Sequence, residues 1–375
     1  METLTKIWLS SPHIGSNEQN FVDEAFSTNW IAPLGPNVSG FECDLESYLQ
    51  EDVHVAALSS GTAAIHLGLK LLGVGKGDEV LCQSFTFSAS ANPITYLGAK
   101  PVFVDSESET WNICPELLEE AITERIRMGS KPKAIVAVHL YGMPYKVDEI
   151  QALAEKYQIP VLEDSAEALG STYKDCKCGT LGDISILSFN GNKIITTSGG
   201  GALVSKTKEY RDKAVFLATQ ARDNAVHYQH SEIGHNYRMS NVLAGIGRGQ
   251  MQVLNERVNA RRRNYEYYLR ALQGLDGISF LEEPDGMFSN RWLSCILTPS
   301  YQVRERIRLA MENENIESRP LWKPMHLQPV FQGEPSFTNG VSENLFQIGL
   351  CLPSGSNLLL EDLERIVEIL KLALK

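Results

Sequence analysis

Residues 53–73, VHVAALSSGTAAIHLGLKLLG, pass from an apolar run with β-branched residues into a pattern of helical spacing, through the small polar residues Ser59, Ser60, Gly61 and Thr62. The first six predict a strand; the remainder predicts a helix that Gly73 ends. The same alternation continues. DEVLCQ (78–83), KPVFVD (100–105), KAIVAVHL (133–140) and IPVLED (159–164) read as strands. SASANPITYLG (88–98), PELLEEAITERI (115–126) and KVDEIQALAEKYQ (146–158) read as the helices between them. Strand and helix in strict alternation mean βαβ units and an α/β fold, with a mainly parallel sheet sandwiched by helices.

A change of pattern near residue 255 divides the chain. RVNARRRNYEYYLRALQG (257–274) predicts a long helix leading out of the sheet, and shorter elements then run to a terminal helix, EDLERIVEILKLALK (361–375). We expect a large domain over 1–255 and a smaller C-terminal α/β domain over 256–375. A chain of 375 residues is long enough for two such cores.

Composition removes several function classes. A formal charge of -12 speaks against a nucleic-acid surface, which needs clustered Lys and Arg. The one basic run, Arg261-Arg262-Arg263, is expected on a solvated helix face or a subunit contact. No apolar run is long enough for a membrane span, and the N-terminus lacks a signal-peptide core, so a cytoplasmic protein with no membrane partner is expected. Seven scattered cysteines suit a reducing compartment. Cys176 and Cys178 are one residue apart, not the usual zinc-knuckle spacing, and no metal site is expected.

In a parallel sheet ligands bind beyond the carboxyl ends of the strands. That rule selects Ser59 to Thr62, Ser84 to Phe87, His139 to Gly142 and Glu163 to Glu167. Asp164 ends an apolar strand, where an unpaired carboxylate is costly, so it faces a ligand cation or belongs to a structural ion pair. Glu167 could present a second polar group to the same ligand. SSGT opens a helix and is either an anion cradle or an ordinary helix cap. Lys193 stands in LSFNGNKIITTSGGGALVSK (187–206), between apolar segments and before Gly199, Gly200 and Gly201. Desolvation makes such an amine available as a Schiff-base nucleophile. The glycines would let the backbone turn closely under a ligand. An amine, a partner for a ring nitrogen and a phosphate cradle are together what pyridoxal 5'-phosphate (PLP) requires.

The stretches SSGTAAIHL, SFTFSAS, HLYG, EDSAEALGS, SFNGNKIITTSGGG, HNYRMSNVLAGIG, NRWLS, RPLWKPMH and CLPSG resemble, in order and over nearly the whole chain, the DegT/DnrJ/EryC1/StrS family of PLP-dependent nucleotide-sugar aminotransferases. The resemblance implies a PLP-dependent transferase fold of type I, like that of aspartate aminotransferase. Within the family the chain is most similar to the C4 aminotransferases of UDP-N-acetylbacillosamine synthesis. Lys193 is then the catalytic lysine that binds PLP and moves the proton; Asp164 pairs with the pyridine nitrogen and Glu167 lies near the ring hydroxyl. Gly61, Thr62 and Ser188 hold the phosphate, and Phe87 stacks on the ring. Asn236 reaches the cofactor of a neighbouring subunit, implying a homodimer with shared active sites. At the position of Glu167 other branches often carry Gln or His. Sugar 3-dehydratases of the family replace the lysine with histidine, so Lys193 favours transamination.

The implied reaction moves the amino group of L-glutamate to the C4 ketone of a UDP-4-keto-6-deoxy-N-acetylhexosamine. A GDP-linked 4-keto sugar, a 3-keto sugar, or a non-enzymatic nucleotide-sugar-binding protein are the alternatives. For the nucleotide sugar the candidates are His13, Trp30, Arg319, Lys323 and His326. RPLWKPMH could equally be packing between the domains.

Overall fold

In the computed structural model, which describes residues 5–50 and 52–374, the alternation appears as seven strands. These are β1 (His54–Leu58), β2 (Glu79–Gln83), β3 (Lys100–Val104), β4 (Ala134–Val138), β5 (Val161–Asp164), β6 (Ile184–Ser188) and β7 (Gly201–Ser205). Their spatial order is β3-β2-β4-β5-β6-β7-β1, with the two residues Ser336–Phe337 added in parallel beside β3. All run parallel except β7, which lies antiparallel to both β6 and β1.

Period-two alternation gives each strand one side chain for each face of the sheet. Val80, Val136, Leu162 and Ile186 point into one core cluster, while Leu81, Ile135, Ala137 and Val161 enter another. Helices cover both faces. They are α1 (Glu18–Ser27), α2 (Pro36–Leu49), α3 (Gly61–Leu71), α4 (Asn92–Tyr96), α5 (Pro115–Arg127), α6 (Val147–Tyr157), α7 (Lys208–Ala218) and α8 (Asn241–Met251). The helix expected over 88–98 is a 3-10 turn at Ser88–Ser90 followed by the single turn and a half of α4.

β7 fits its place because it begins with a glycine. Gly201 stands between Leu58 of β1 and Ser188 of β6, directly under the turn that opens α3. A Cβ there would lie 2.4 Å from the Gly61 nitrogen and the Ser60 carbonyl carbon. Gly200 is similarly confined, by Thr197 and Met239, whereas Gly199 has open space around it. The glycine run thus serves close backbone approach at two of its three positions.

Beyond residue 253 the chain builds α9 (Leu254–Leu272), α10 (Tyr301–Asn313), α11 (Val341–Ile348) and α12 (Leu360–Leu374). They accompany a four-stranded antiparallel sheet of β8 (Ser279–Phe280), β9 (Ser294–Leu297), β10 (Arg319–Pro320) and β11 (Gly349–Leu352), ordered β8-β9-β11-β10. Its core of Tyr268, Ile296, Ile307, Leu350 and Ile366 also takes in Ile7, which bridges to Ile316. The N-terminal segment therefore returns to the smaller layer.

The basic run of α9 is solvated only in part. Arg261 is 1% exposed. It donates to the carbonyl of Trp292 at 2.6 Å and to the hydroxyl of Ser10 at 2.9 Å. Carbonyl dipoles replace water around this cation, though burial still pulls it down to about 9. Arg262 pairs with Glu283, and Arg263 remains exposed. No helix of the described residues is long and apolar enough to cross a membrane.

The end of β5 is organised by Glu163, which is completely buried. It accepts from His139 Nε2 at 2.7 Å, the hydroxyls of Ser165 and Ser185, and the amides of Gly179, Leu181 and Gly182. His139 Nδ1 accepts from the Tyr145 amide, so the ring proton sits on Nε2, toward Glu163. Cys178, one of the two closely spaced cysteines, completes a buried trio with these residues, its sulfur within 4.8 Å of the other two ligand atoms. The carboxylate oxygens already have six protein donors, and the trio is built as a hydrogen-bond hub.

Burial alone would raise the Glu163 carboxyl, but the His139 hydrogen bond and the other donors outweigh it and hold the group at about 2. A carboxyl more acidic in the folded chain stabilises it fully above the unfolded value near 4.5, and that contribution drains away as pH falls toward 2. Urea denaturation at a series of pH values is expected to find stability falling across that window in the wild type, by an amount on the order of 3 kcal/mol from this group. Glu163→Gln is expected to be less stable at neutral pH and to lack that part of the pH dependence. Gly201→Ala, which forces a methyl into the Ser60–Gly61 backbone, is expected to cost roughly 1–3 kcal/mol in the same assay.

Candidate active site

A cavity of about 510 Å³ opens at the carboxyl ends of β1, β5 and β6, where the strand order predicts a ligand site. Its floor carries Asp164, Glu167 and Lys193; one wall is the first turn of α3, with Gly61, Thr62 and, from β6, Ser188. Phe87 and Trp322 stand at the other side, their rings 5.4 Å apart. Three segments far apart in the chain, near residues 61, 164 and 193, are thereby brought to one volume.

Each polar group has a structural reason for its orientation. Ser60 caps α3, accepting from the Ala63 amide at 3.0 Å, which leaves the Gly61 and Thr62 backbone at the cavity wall at the positive end of the helix. Gly61 itself packs against Ser188, since a Cβ would come 3.0 Å from that side chain. Asp164 accepts from the Ser90 hydroxyl at 2.6 Å and from the Ala166 amide at 3.1 Å. Ser90 is in turn hydrogen-bonded to Thr86 at 2.8 Å. Burial pushes the Asp164 carboxyl up, and these donors together with the charge of Lys193 only partly offset it.

Lys193 donates to Glu167 Oε1 at 3.2 Å, and its ammonium stands 4.3 Å from the centre of the Trp292 ring. Trp292 is fixed by its indole N–H on the carbonyl of Asn192 at 2.7 Å and by its backbone amide on Asn290 Oδ1 at 2.8 Å. Asn290 also donates to the carbonyls of Glu167 and Leu169, at 2.8 and 2.9 Å. The other oxygen of Glu167 accepts from the Tyr141 amide at 2.7 Å. Burial raises the Glu167 carboxyl to about 7 despite the opposing charge of Lys193.

Of the residues singled out in the sequence, Gly61, Thr62, Phe87, Asp164, Glu167 and Ser188 line the cavity together with Lys193, and Arg319 stands at its mouth beside Glu317. The others are elsewhere. Asn236 is exposed, bridged to Thr219, and does not reach the cavity of its own chain. Trp30 is 42% exposed, with its carbonyl bound by Asn241. His13 hydrogen-bonds Ser356 through Nδ1 and lies against Arg257. Lys323 is outside the lining; its carbonyl accepts from Gln328. His326 has both ring nitrogens engaged, Nδ1 with Ser84 at 2.7 Å and Nε2 with Glu343 at 3.2 Å, and ties the exit of β2 to the C-terminal region.

Sequence reasoning missed Ser90, Asn290 and Trp292, and it reached Tyr141 only as part of the stretch from His139 to Gly142. The motifs SFTFSAS, HLYG and NRWLS contain all four, but periodicity carries no signal for a side chain that acts by holding another one.

The donor set fits PLP. The buried Asp164 carboxylate has only neutral donors in hydrogen-bond contact and lies open to the cavity, which suits a protonated ring nitrogen. The helix N-terminus suits a phosphate, and Lys193 suits an amine that bonds a carbonyl carbon.

Comparison with known proteins agrees. The model of the DegT/DnrJ/EryC1/StrS aminotransferase family matches residues 12–371. EpsN of Bacillus subtilis (strain 168), provisionally named a pyridoxal phosphate-dependent aminotransferase, is 53% identical, with 97% of this chain and 95% of EpsN covered. GDP-perosamine synthase of Escherichia coli O157:H7 is 37% identical, with 95% of each chain covered. Among solved structures, the PLP form of Spr1654 from Streptococcus pneumoniae, provisionally named a sugar aminotransferase, superposes with a TM-score of 0.91 at 28% identity over 99% of both chains. The chain belongs to the DegT/DnrJ/EryC1/StrS aminotransferase family, and it is a PLP-dependent sugar aminotransferase of fold type I.

Proposed function

We propose that the protein moves the amino group of L-glutamate to the C4 ketone of a UDP-4-keto-6-deoxy-N-acetylhexosamine, giving a UDP-4-amino-4,6-dideoxy sugar for glycan synthesis of the bacillosamine type. The observation that carries the amination is the half-buried Lys193 amine, paired with Glu167 and sharing one cavity with Asp164 and the first turn of α3. PLP, when bound, supplies an electron sink that lets a proton leave the α-carbon of the amino donor. Asp164 would hold a proton on the ring nitrogen and so maintain the sink. The amides of Gly61 and Thr62, with the Ser188 hydroxyl, would hold the phosphate, and Phe87 would pack on the ring. Lys193 would hold PLP through its amine and, once displaced from it by the donor's amine, would be the base that takes the proton leaving the donor's α-carbon. The aromatic rim of Phe87 and Trp322 limits water at this point, and Arg319 at the mouth offers a cation to the diphosphate of a nucleotide sugar.

The cofactor chemistry is the same if the nucleotide is GDP, a reading favoured by the 37% identity to GDP-perosamine synthase. The UDP assignment rests on the finer resemblance to C4 aminotransferases of bacillosamine synthesis. We also assign the protein to homodimers with shared sites. The exposure of Asn236 in the single chain, outside its own cavity, supports this, as do the exposed Val226, Tyr228 and Ile233 in the preceding loop. Seven free cysteines suit a cytoplasmic location.

Turnover of a UDP-4-keto-6-deoxy-N-acetylhexosamine, GDP-4-keto-6-deoxymannose and a 3-keto nucleotide sugar with L-glutamate tests the substrate directly. The UDP sugar is expected to have the highest kcat/KM; a higher value for the GDP sugar transfers the assignment to that nucleotide. Lys193→Ala is expected to lower kcat at least about a hundredfold with the circular dichroism spectrum unchanged. Asn236→Ala is expected to weaken PLP retention in the dimer, and an equal loss in an engineered monomer would refute a role across the interface.

A further inference from the structure

Glu167 sits where an ordinary structural carboxylate has no reason to be. Its side chain is 3% exposed, its Oε1 lies 3.2 Å from the Lys193 nitrogen, and it lines the cavity. Much of the surrounding structure keeps it there. Tyr141 holds Oε2 through its amide, and to aim that amide it adopts φ 55°, ψ 20°, a left-handed conformation that a bulky residue avoids. Gly142 follows at φ 86°, and a Cβ there would meet Asn290 Oδ1 at 2.0 Å. Asn290 in turn holds the Glu167 carbonyl. With Oε2 committed to Tyr141, Oε1 is the oxygen presented to Lys193. The Trp292 ring, fixed by the same asparagine, faces the same nitrogen and also favours a positive charge on it.

We infer that Glu167 is a catalytic carboxylate, the counter-anion that keeps the proton on the Lys193 nitrogen while that nitrogen is joined to the cofactor; this rests on reading Lys193 as the cofactor-linking lysine. A protonated nitrogen draws electrons from the carbon bonded to it and readies that carbon for attack by the donor amine. An anion at this distance in a dry site favours the charged form of its neighbour. The titratable groups around Glu167 are Lys193, Asp164 at the end of β5, Tyr141 after β4 and Cys295 on β9. Asp164 opposes ionisation of Glu167 and Lys193 favours it; the thiol and the phenol are raised by burial and stay neutral in the working range.

The test is a visible-absorbance titration of the holoenzyme between about pH 5.5 and 10, comparing wild type with Glu167→Gln, which keeps the size of the side chain and an acceptor for Tyr141. Loss of the anion is expected to move the midpoint of the band change at least about one pH unit toward acid, a tenfold loss of proton affinity. Midpoints within about 0.3 unit of each other overturn the inference. If neither protein forms a visible band at any pH, the reading of Lys193 itself fails and this inference falls with it. Should Glu167→Gln not retain PLP, infrared spectroscopy decides. In Lys193→Met, Glu167 has lost its cation and is expected to give a carboxylic-acid band at about pH 7.5 that wild type and the Lys193→Met, Glu167→Gln double variant lack. Absence of that band overturns the inference as well.

Discussion

Three carboxyl groups, Glu163, Asp164 and Glu167, are buried within one short stretch at the end of a central strand. Taking an ionised carboxylate out of water costs many kcal/mol unless charge or hydrogen bonds replace the solvent, so the chain around this stretch must supply donors. Each group is satisfied differently. Glu163 collects six donors and becomes strongly acidic. Asp164 receives two donors and is left facing open space, with its carboxyl raised by burial. Glu167 shares a lysine and one amide, and stands near neutrality. Three identical functional groups thus acquire three protonation behaviours from their surroundings alone, and only two of them, Asp164 and Glu167, face the cavity.

Satisfying these groups also joins the two halves of the chain. Asn290 and Trp292 lie in the turn leading to β9, yet their hydrogen bonds end on Glu167, Leu169 and Asn192. Arg261 of α9 holds the Trp292 carbonyl, and Trp322 donates its amide to the Tyr141 hydroxyl at 2.9 Å. The wall behind Lys193 therefore belongs to the C-terminal region and its floor to the large sheet. An amine held from both sides keeps its position only while both layers remain packed together, which couples site geometry to the relative placement of the two cores.

Much of this was legible in the sequence for specific reasons. The strands from β1 to β5 announce themselves as apolar runs that give way to polar residues, Ser59, Gln83, Asp105, His139 and Asp164, and the rule that ligands bind at strand carboxyl ends leads to Gly61, Asp164 and Glu167 directly. Lys193 was found because a lone cation between apolar segments calls for an explanation. The antiparallel direction of β7 was not legible, since GALVS has the same period whichever way it runs; the constraint is steric and lies in Gly201. His326, a candidate for substrate, has both nitrogens occupied by Ser84 and Glu343, and residues 242 positions apart leave no trace of such a bond in a single sequence. Arg261 was expected on a solvated helix face or a subunit contact because basic runs usually are; its partners are two backbone carbonyls and the Ser10 hydroxyl, groups that no local pattern announces.

The central claim is that the Lys193 nitrogen is the atom that bonds the cofactor. Reduction of the holoenzyme with borohydride, followed by peptide mapping, tests it most directly. The account predicts one pyridoxyl group per chain, on the peptide containing Lys193; a pyridoxyl group on another lysine, or none on a protein that has bound PLP, would contradict it.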